Sequence, residues 1–137
     1  EAIEIYSRIL ARHPKKSLRA VIYIHRGMAY FGNSLYMDAL EDFSKSMQLN
    51  ESNARAYYYR GVVYRFLQDL QHALSDFDRC IEIDPYQFDP LYARAQVYFS
   101  LGDYVRAHED CSRALSIKPR VVEAQRFLQV VTRRLQF

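Results

Sequence analysis

Four histidines, His13, His25, His72 and His108, and two cysteines, Cys80 and Cys111, are the side chains of this 137-residue chain best suited to hold a metal or present a thiol. None stands at a ligand spacing. The run His108-Glu109-Asp110-Cys111-Ser112 opens like a two-histidine zinc helix, but a serine occupies the place of the second histidine. The histidines fall in different segments, and the usual zinc patterns are absent. Neither common phosphate-cradling glycine pattern occurs. No serine or cysteine has a recognisable base partner. The expectation is therefore no cofactor, no metal and no enzymatic chemistry in this chain, with the histidines read as solvated residues on helix faces.

A second set of reactive groups recurs. Arg26, Arg60 and Arg94 are each followed, always at the same distance, by Asp42, Asp76 and Asp110. A row of exposed guanidinium groups could read phosphates. The fixed spacing to an acid favours instead an ion pair joining two helices, since a partly buried charge left alone costs several kcal/mol.

The elements that would carry these pairs come from a repeat. Shifted by 34 residues, the chain matches itself over 20–53, 54–87 and 88–121. Four positions agree in all three copies: the arginine and aspartate above, Tyr30/Tyr64/Tyr98 and Ala39/Ala73/Ala107. Self-similarity at a fixed period sets the architecture. Within the second copy, Tyr57, Val62, Tyr64 and Leu67 trace a rough helical stripe. Leu70, Ala73, Leu74, Phe77 and Ile81 trace a cleaner one. Gln68-Asp69 breaks the two helices, and Asp84-Pro85-Tyr86 ends the pair, because proline disfavours the helical region for the residue before it.

The pattern Tyr23-x2-Arg26-Gly27-x2-Tyr30, repeated from Tyr57 and from Leu91, then Ala39-x3-Phe43, Ala73-x3-Phe77 and Ala107-x3-Cys111, then Pro85 and Pro119, resembles the tetratricopeptide repeat. Glu51 replaces the proline of the first unit, and Ala95 replaces one glycine. The resemblance implies an all-α, right-handed α-solenoid of antiparallel helix pairs. Small residues at Gly27, Gly61 and Ala95 and at Ala39, Ala73 and Ala107 would let the paired helices approach closely. Stacking of the pairs would bury what each leaves exposed. Cys80 and Cys111 would be small core residues.

The flanks extend the pattern. Residues 1–16 look like the second helix of a truncated unit plus a linker, with Ala2-x3-Tyr6 and Pro14 in place and Lys15, Lys16 and Ser17 as extra connecting residues. Residues 122–137 are expected to form a terminal capping helix with Phe127, Leu128, Val131 and Leu135 facing inward. The whole is read as one domain, an excerpt of a longer protein.

Composition agrees with a globular helical module. Half the residues are hydrophobic and 15% are aromatic, with 12 Tyr, 8 Phe, 4 Gly and 4 Pro. No apolar run reaches the ~20 residues of a membrane span. Two cysteines make no disulfide framework, so a cytoplasmic setting is expected, with a nuclear or ciliary one left open. A formal charge of +3 makes no case for nucleic acid. Lys15, Lys16, Arg133 and Arg134 lie at the two ends with no basic stripe between them, so an RNA-binding repeat is the weakest of the readings.

In the family that this chain resembles, the first helix of each pair lines a concave groove that takes peptides. By position the lining here would be Ile24, Met28 and Phe31, then Arg55, Tyr58, Val62 and Arg65, then Asp89, Tyr92, Gln96 and Phe99, continued by Arg126, Val130 and Arg133. Tyr, Met and Arg are enriched at interfaces. One variant of the family grips a chaperone's C-terminal carboxylate with Lys, Asn and Arg. Here Ile24, Met28, Val62, Asp89 and Ala93 stand at those places, so an acidic chaperone tail is not the expected partner. The expectation is a scaffold or adaptor that binds a protein or peptide. The alternative is that the same apolar residues are covered by further units or by self-association.

Overall fold

The computed structural model describes residues 1–136. Among the described residues it contains eight α-helices and no strand: α1 (Ala2–Ala11), α2 (Lys16–Gly32), α3 (Tyr36–Leu49), α4 (Ala54–Phe66), α5 (Leu70–Ile83), α6 (Phe88–Ser100), α7 (Tyr104–Ile117) and α8 (Val122–Leu135). The helices α2/α3, α4/α5 and α6/α7 form tightly packed pairs, and each pair leans on the next through α3 with α4 and α5 with α6. The first helices α2, α4 and α6 also touch one another directly. They therefore line the inner, shorter side of an all-α solenoid.

The turn inside each pair is built the same way three times. Ser34, Gln68 and Gly102 stand in one register and have φ of 63°, 65° and 84°. The next residue's amide, on Leu35, Asp69 or Asp103, then donates to the carbonyl of Tyr30, Tyr64 or Tyr98 at 2.8, 2.9 and 2.9 Å. This closes the last turn of the first helix. Asp69 and Asp103 go on to cap the second helix, accepting the amides of His72 (3.3 Å) and Arg106 (3.1 Å). Leu35, in the same place, has no side chain that can do so.

Close approach within the pairs follows the small residues. A methyl group added at Gly27 would lie 2.7 Å from Cε1 of Phe43, and one at Gly61 would lie 2.7 Å from Cε1 of Phe77. The third pair exchanges both partners at once. Ala95 replaces the glycine and Cys111 the phenylalanine, and both are fully buried in one cluster with Leu91, Ala114 and Ala124. Phe43 also bridges to the following unit, stacking on Tyr59 at 5.9 Å, while Phe77 meets Tyr58 of its own unit at 6.0 Å.

The recurrent ion pairs form as expected. Arg26, Arg60 and Arg94 each donate Nε and Nη2 to the two carboxylate oxygens of Asp42, Asp76 and Asp110, at 2.7–2.9 Å. The third nitrogen, Nη1, reaches back to the preceding unit, to Ser7 Oγ (3.1 Å), Ser44 Oγ (3.1 Å) and Asp78 Oδ1 (2.9 Å). Burial opposes the charge of Arg94, but the hydrogen bonds and charge of Asp110 and Asp78 outweigh it and raise its pKa. With their forks occupied in this way, the arginines form no exposed phosphate-reading row.

Two expectations need correction at the flanks. Lys16 and Ser17 are not linker. They open α2, which runs one turn longer at its start than α4 or α6, with Lys15 as its N-cap and the Arg19 amide bonded to the Lys15 carbonyl at 2.8 Å. In α8, Val131 is buried and Phe127 and Leu128 are half-buried, but Leu135 is 37% exposed because it lies beyond the end of α7's cover. Ala124, not singled out by its sequence, is fully buried instead, with its carbonyl accepting the Cys111 thiol at 3.4 Å. Phe137 of the expected cap lies outside the described residues.

Candidate functional site

The inner face of α2 and α4 encloses an apolar pocket of about 210 Å³. Met28, Phe31 and Gly32 form one wall, Tyr58, Tyr59, Val62 and Val63 the other, and the buried ring of Phe43 the floor. Four of the residues expected in the groove, Met28, Phe31, Tyr58 and Val62, therefore meet in one place. Gly32 borders it, and nothing lies within 4 Å of where its side chain would be.

A second pocket, of about 360 Å³ and more polar, adjoins it across Val62 and is lined by Arg65, Phe66, Gln68, Leu70 and Ser100. Arg65 is half-buried, yet among the described residues its guanidinium has no ion pair and no hydrogen-bond partner. Its charge is close enough to Tyr58 and Tyr92 to act on both phenols. Burial pushes the Tyr58 hydroxyl up to about 12, with Asp89 adding to the shift and Arg65 opposing it. Tyr92 is raised in the same direction, again chiefly by burial. At the start of α4, Arg55 is exposed, lies 5.8 Å over the Tyr59 ring and lines a third pocket with Val21, His25 and Asn53.

Other expected lining residues lie elsewhere. Ile24 is 2% exposed and belongs to the core with Ala39, Phe43 and Ala56, because the start of α4 packs over it. Tyr92 and Phe99 do not form an open wall. Phe127 of α8 lies edge-on to both, at 5.8 and 5.4 Å, and Arg134 covers Phe99 and donates to the Tyr104 hydroxyl at 2.8 Å. Gln96 is half-buried next to them, while Asp89 and Arg126 are exposed. Val130 and Arg133 are exposed on α8.

Gly32, Tyr59 and Phe66 were not singled out. Phe66 stands in the register of Gly32 and Ser100, and its ring packs on Phe31 (5.7 Å) and Tyr36 (5.0 Å). One large residue between two small ones at a repeat position was the available signal.

No group of three or more His, Cys, Asp or Glu that could hold a metal occurs among the described residues. His25 stacks on Tyr6, and His72 stacks on Tyr64 while its Nδ1 meets Asp69 Oδ2 at 2.7 Å. Both cysteines are free and buried, and burial pushes the Cys80 thiol up to about 12 and the Cys111 thiol to about 11. Neither is poised as a nucleophile. Among the described residues, no helix is long and apolar enough to cross a membrane.

Sequence profiles of the tetratricopeptide repeat match residues 54–87 and 88–121. No curated protein matches the chain by sequence. Solved structures are closely similar. The first tetratricopeptide domain of Spaghetti (RPAP3), bound to the HSP90 peptide SRMEEVD, superposes with a TM-score of 0.86 at 23% identity, covering 88% of this chain and 96% of that one. The MamA protein gives 0.85 at 26% identity, covering 96% and 70%. The tetratricopeptide domain of Arabidopsis OM64 gives 0.82 at 20%, covering 85% and 97%.

Proposed function

Since the chain belongs to the tetratricopeptide-repeat family, whose domains generally serve protein–protein interaction, we propose that it is a scaffold or adaptor module holding a partner segment in the groove of α2, α4 and α6. The observation that carries this reading is the apolar pocket between Met28, Phe31, Tyr58 and Val62, bordered by Gly32. Exposed concave apolar surface of this kind marks contact sites. The two free, buried cysteines are in keeping with a reducing compartment such as the cytoplasm.

The partner is not a free acidic C-terminus of the kind seen on RPAP3. Ile24 and Ala93, at two of the five positions where the carboxylate grip would need a polar side chain, are 2% and 7% exposed. Asp89 would repel a carboxylate at a third. The peptide SRMEEVD is expected to show no micromolar binding in fluorescence polarisation.

A second reading has its own support. Phe127 already covers Tyr92 and Phe99, so a further segment of the same array or a second copy could cover Met28 and Tyr58 in the same way. Gly32→Leu separates the cases. The side chain enters open space, so the fold is retained while the pocket is filled. Proteins retained from lysate by the original chain and lost by Gly32→Leu are groove partners. If Gly32→Leu instead leaves every captured protein in place and shifts only the sedimentation of the chain itself, self-covering is the function of this face.

A further inference from the structure

We propose, building on the groove reading above, that the occupant is an internal linear segment of a partner protein that places one bulky apolar side chain between α2 and α4 and an acidic side chain two or three residues away against Arg65. The first half rests on size and chemistry. An apolar cavity of roughly 150 Å³ accommodates a benzene ring. The pocket of Met28, Phe31, Tyr58 and Val62, at about 210 Å³, holds one aromatic or large aliphatic side chain and offers it almost no polar partner.

The second half rests on charge. Of the other half-buried arginines, Arg26, Arg60 and Arg94 are held by two carboxylate oxygens each, and Arg19 donates to the Pro14 carbonyl at 3.3 Å. Arg65 is half-buried on the wall of the second pocket beside Val62, Phe66 and Leu70, and it has no acidic partner among the described residues. A planar fork in that setting is suited to a carboxylate. Val62, the shared wall of both pockets, precedes Arg65 by one turn of α4, about 4.5 Å along the axis. Adding the reach of the arginine side chain, an extended segment advancing roughly 3.3–3.6 Å per residue meets the guanidinium two or three residues from its anchor.

Asp89, on the first turn of α6, acts on the Tyr58 phenol with the opposite sign to Arg65 and disfavours an acid beside it.

The test is selection from a phage-displayed library of random dodecamers held between two fixed domains, so that no displayed segment has a free carboxyl terminus. Binding is selected on the full chain, and clones that also bind Gly32→Leu are discarded. The expected result is enrichment of one Phe, Leu, Met or Trp with Asp or Glu two or three residues away. A synthetic peptide of the enriched sequence should lose roughly tenfold in affinity on Arg65→Gln, with circular dichroism unchanged, and should prefer Lys over Glu at the acidic position on Arg65→Glu.

Enrichment of an apolar anchor with neutral or basic neighbours overturns this proposal and leaves the groove reading standing. Failure of any clone to distinguish the original chain from Gly32→Leu overturns both.

Discussion

A methyl group at Gly61 would stand 2.7 Å from the ring of Phe77, so the glycine and the phenylalanine are two halves of one contact. The same is true of Gly27 and Phe43, and the third unit meets the same geometric demand with Ala95 and Cys111. Gly61→Ala is expected to destabilise by about 1–3 kcal/mol through overpacking. Phe77→Cys alone should cost more, roughly 3–5 kcal/mol, through the cavity it leaves. The double variant should cost clearly less than the two together, since it recreates the combination found in the third unit. Urea unfolding of the four proteins measures the coupling. Strict additivity would show that the helices reposition instead.

The three ion pairs are alike in geometry but differ in reserve. If Asp76 is removed, Arg60 keeps only the Ser44 hydroxyl, whereas Arg94 without Asp110 still holds Asp78. Asp76→Ala should therefore destabilise by about 3 kcal/mol, and Asp110→Ala by distinctly less. Thermal melting of the two variants side by side decides this. Equal losses would mean that the Asp78 contact contributes nothing.

The turn residues offer the opposite sign. Gln68 holds a left-handed backbone, with φ of 65°, at the place where the third unit has Gly102. Gln68→Gly should stabilise by about 1 kcal/mol, because an L-residue with a side chain is strained there. Leu35→Asp should add a similar amount by supplying the cap that Asp69 and Asp103 provide in their units. Midpoints in urea, with slopes unchanged, are the readout.

Alkali should unfold this protein earlier than acid–base neutrality of its surface suggests. Burial holds Tyr58 up to about 12 from 10.0, and Cys80 and Cys111 up to about 12 and 11 from 9.0. Below about pH 8 all three are protonated in both states and the full stability is present. As pH rises toward about 12, the unfolded chain releases protons that the folded chain retains, so stability falls. Urea midpoints should drop between about pH 8 and about pH 10.5, and Tyr58→Phe should flatten the part of that slope above about pH 10. An unchanged slope in Tyr58→Phe would show that the phenol titrates freely.

The repeat made much of the architecture legible. Arg60 and Asp76, Gly61 and Phe77, and the break at Gln68 are positions within a unit, and a unit recurs three times. Relations that belong to one place in the array were harder to read. Ile24 shares its place with Tyr58 and Tyr92 but is buried, because its neighbour there is the start of α4 with Ala56. Lys16 and Ser17 follow Pro14 as a linker would, but residues that favour a helix extend α2 backward where no repeat partner constrains them. Met28, Phe31, Tyr58 and Val62 come together at one apolar pocket. Tyr92 and Phe99 are covered by Phe127 of α8, which keeps the register of the first helices but departs from their sequence, with Leu128 where the arginine would be.

The backward reach of Nη1 ties every unit's internal clasp to the unit before it. Fraying is thus transmitted: when one pair opens, its successor's arginine loses a bond as well, which raises the nearest-neighbour coupling of a one-dimensional array. The coupling is graded, from a serine hydroxyl at Ser7 and Ser44 to a carboxylate at Asp78. It stops at Leu128, which stands where the next arginine would be and packs against the core without a polar tether. Opening should therefore travel inward from both ends, with α1 and α8 exchanging their amide hydrogens first and the junction between α5 and α6 last.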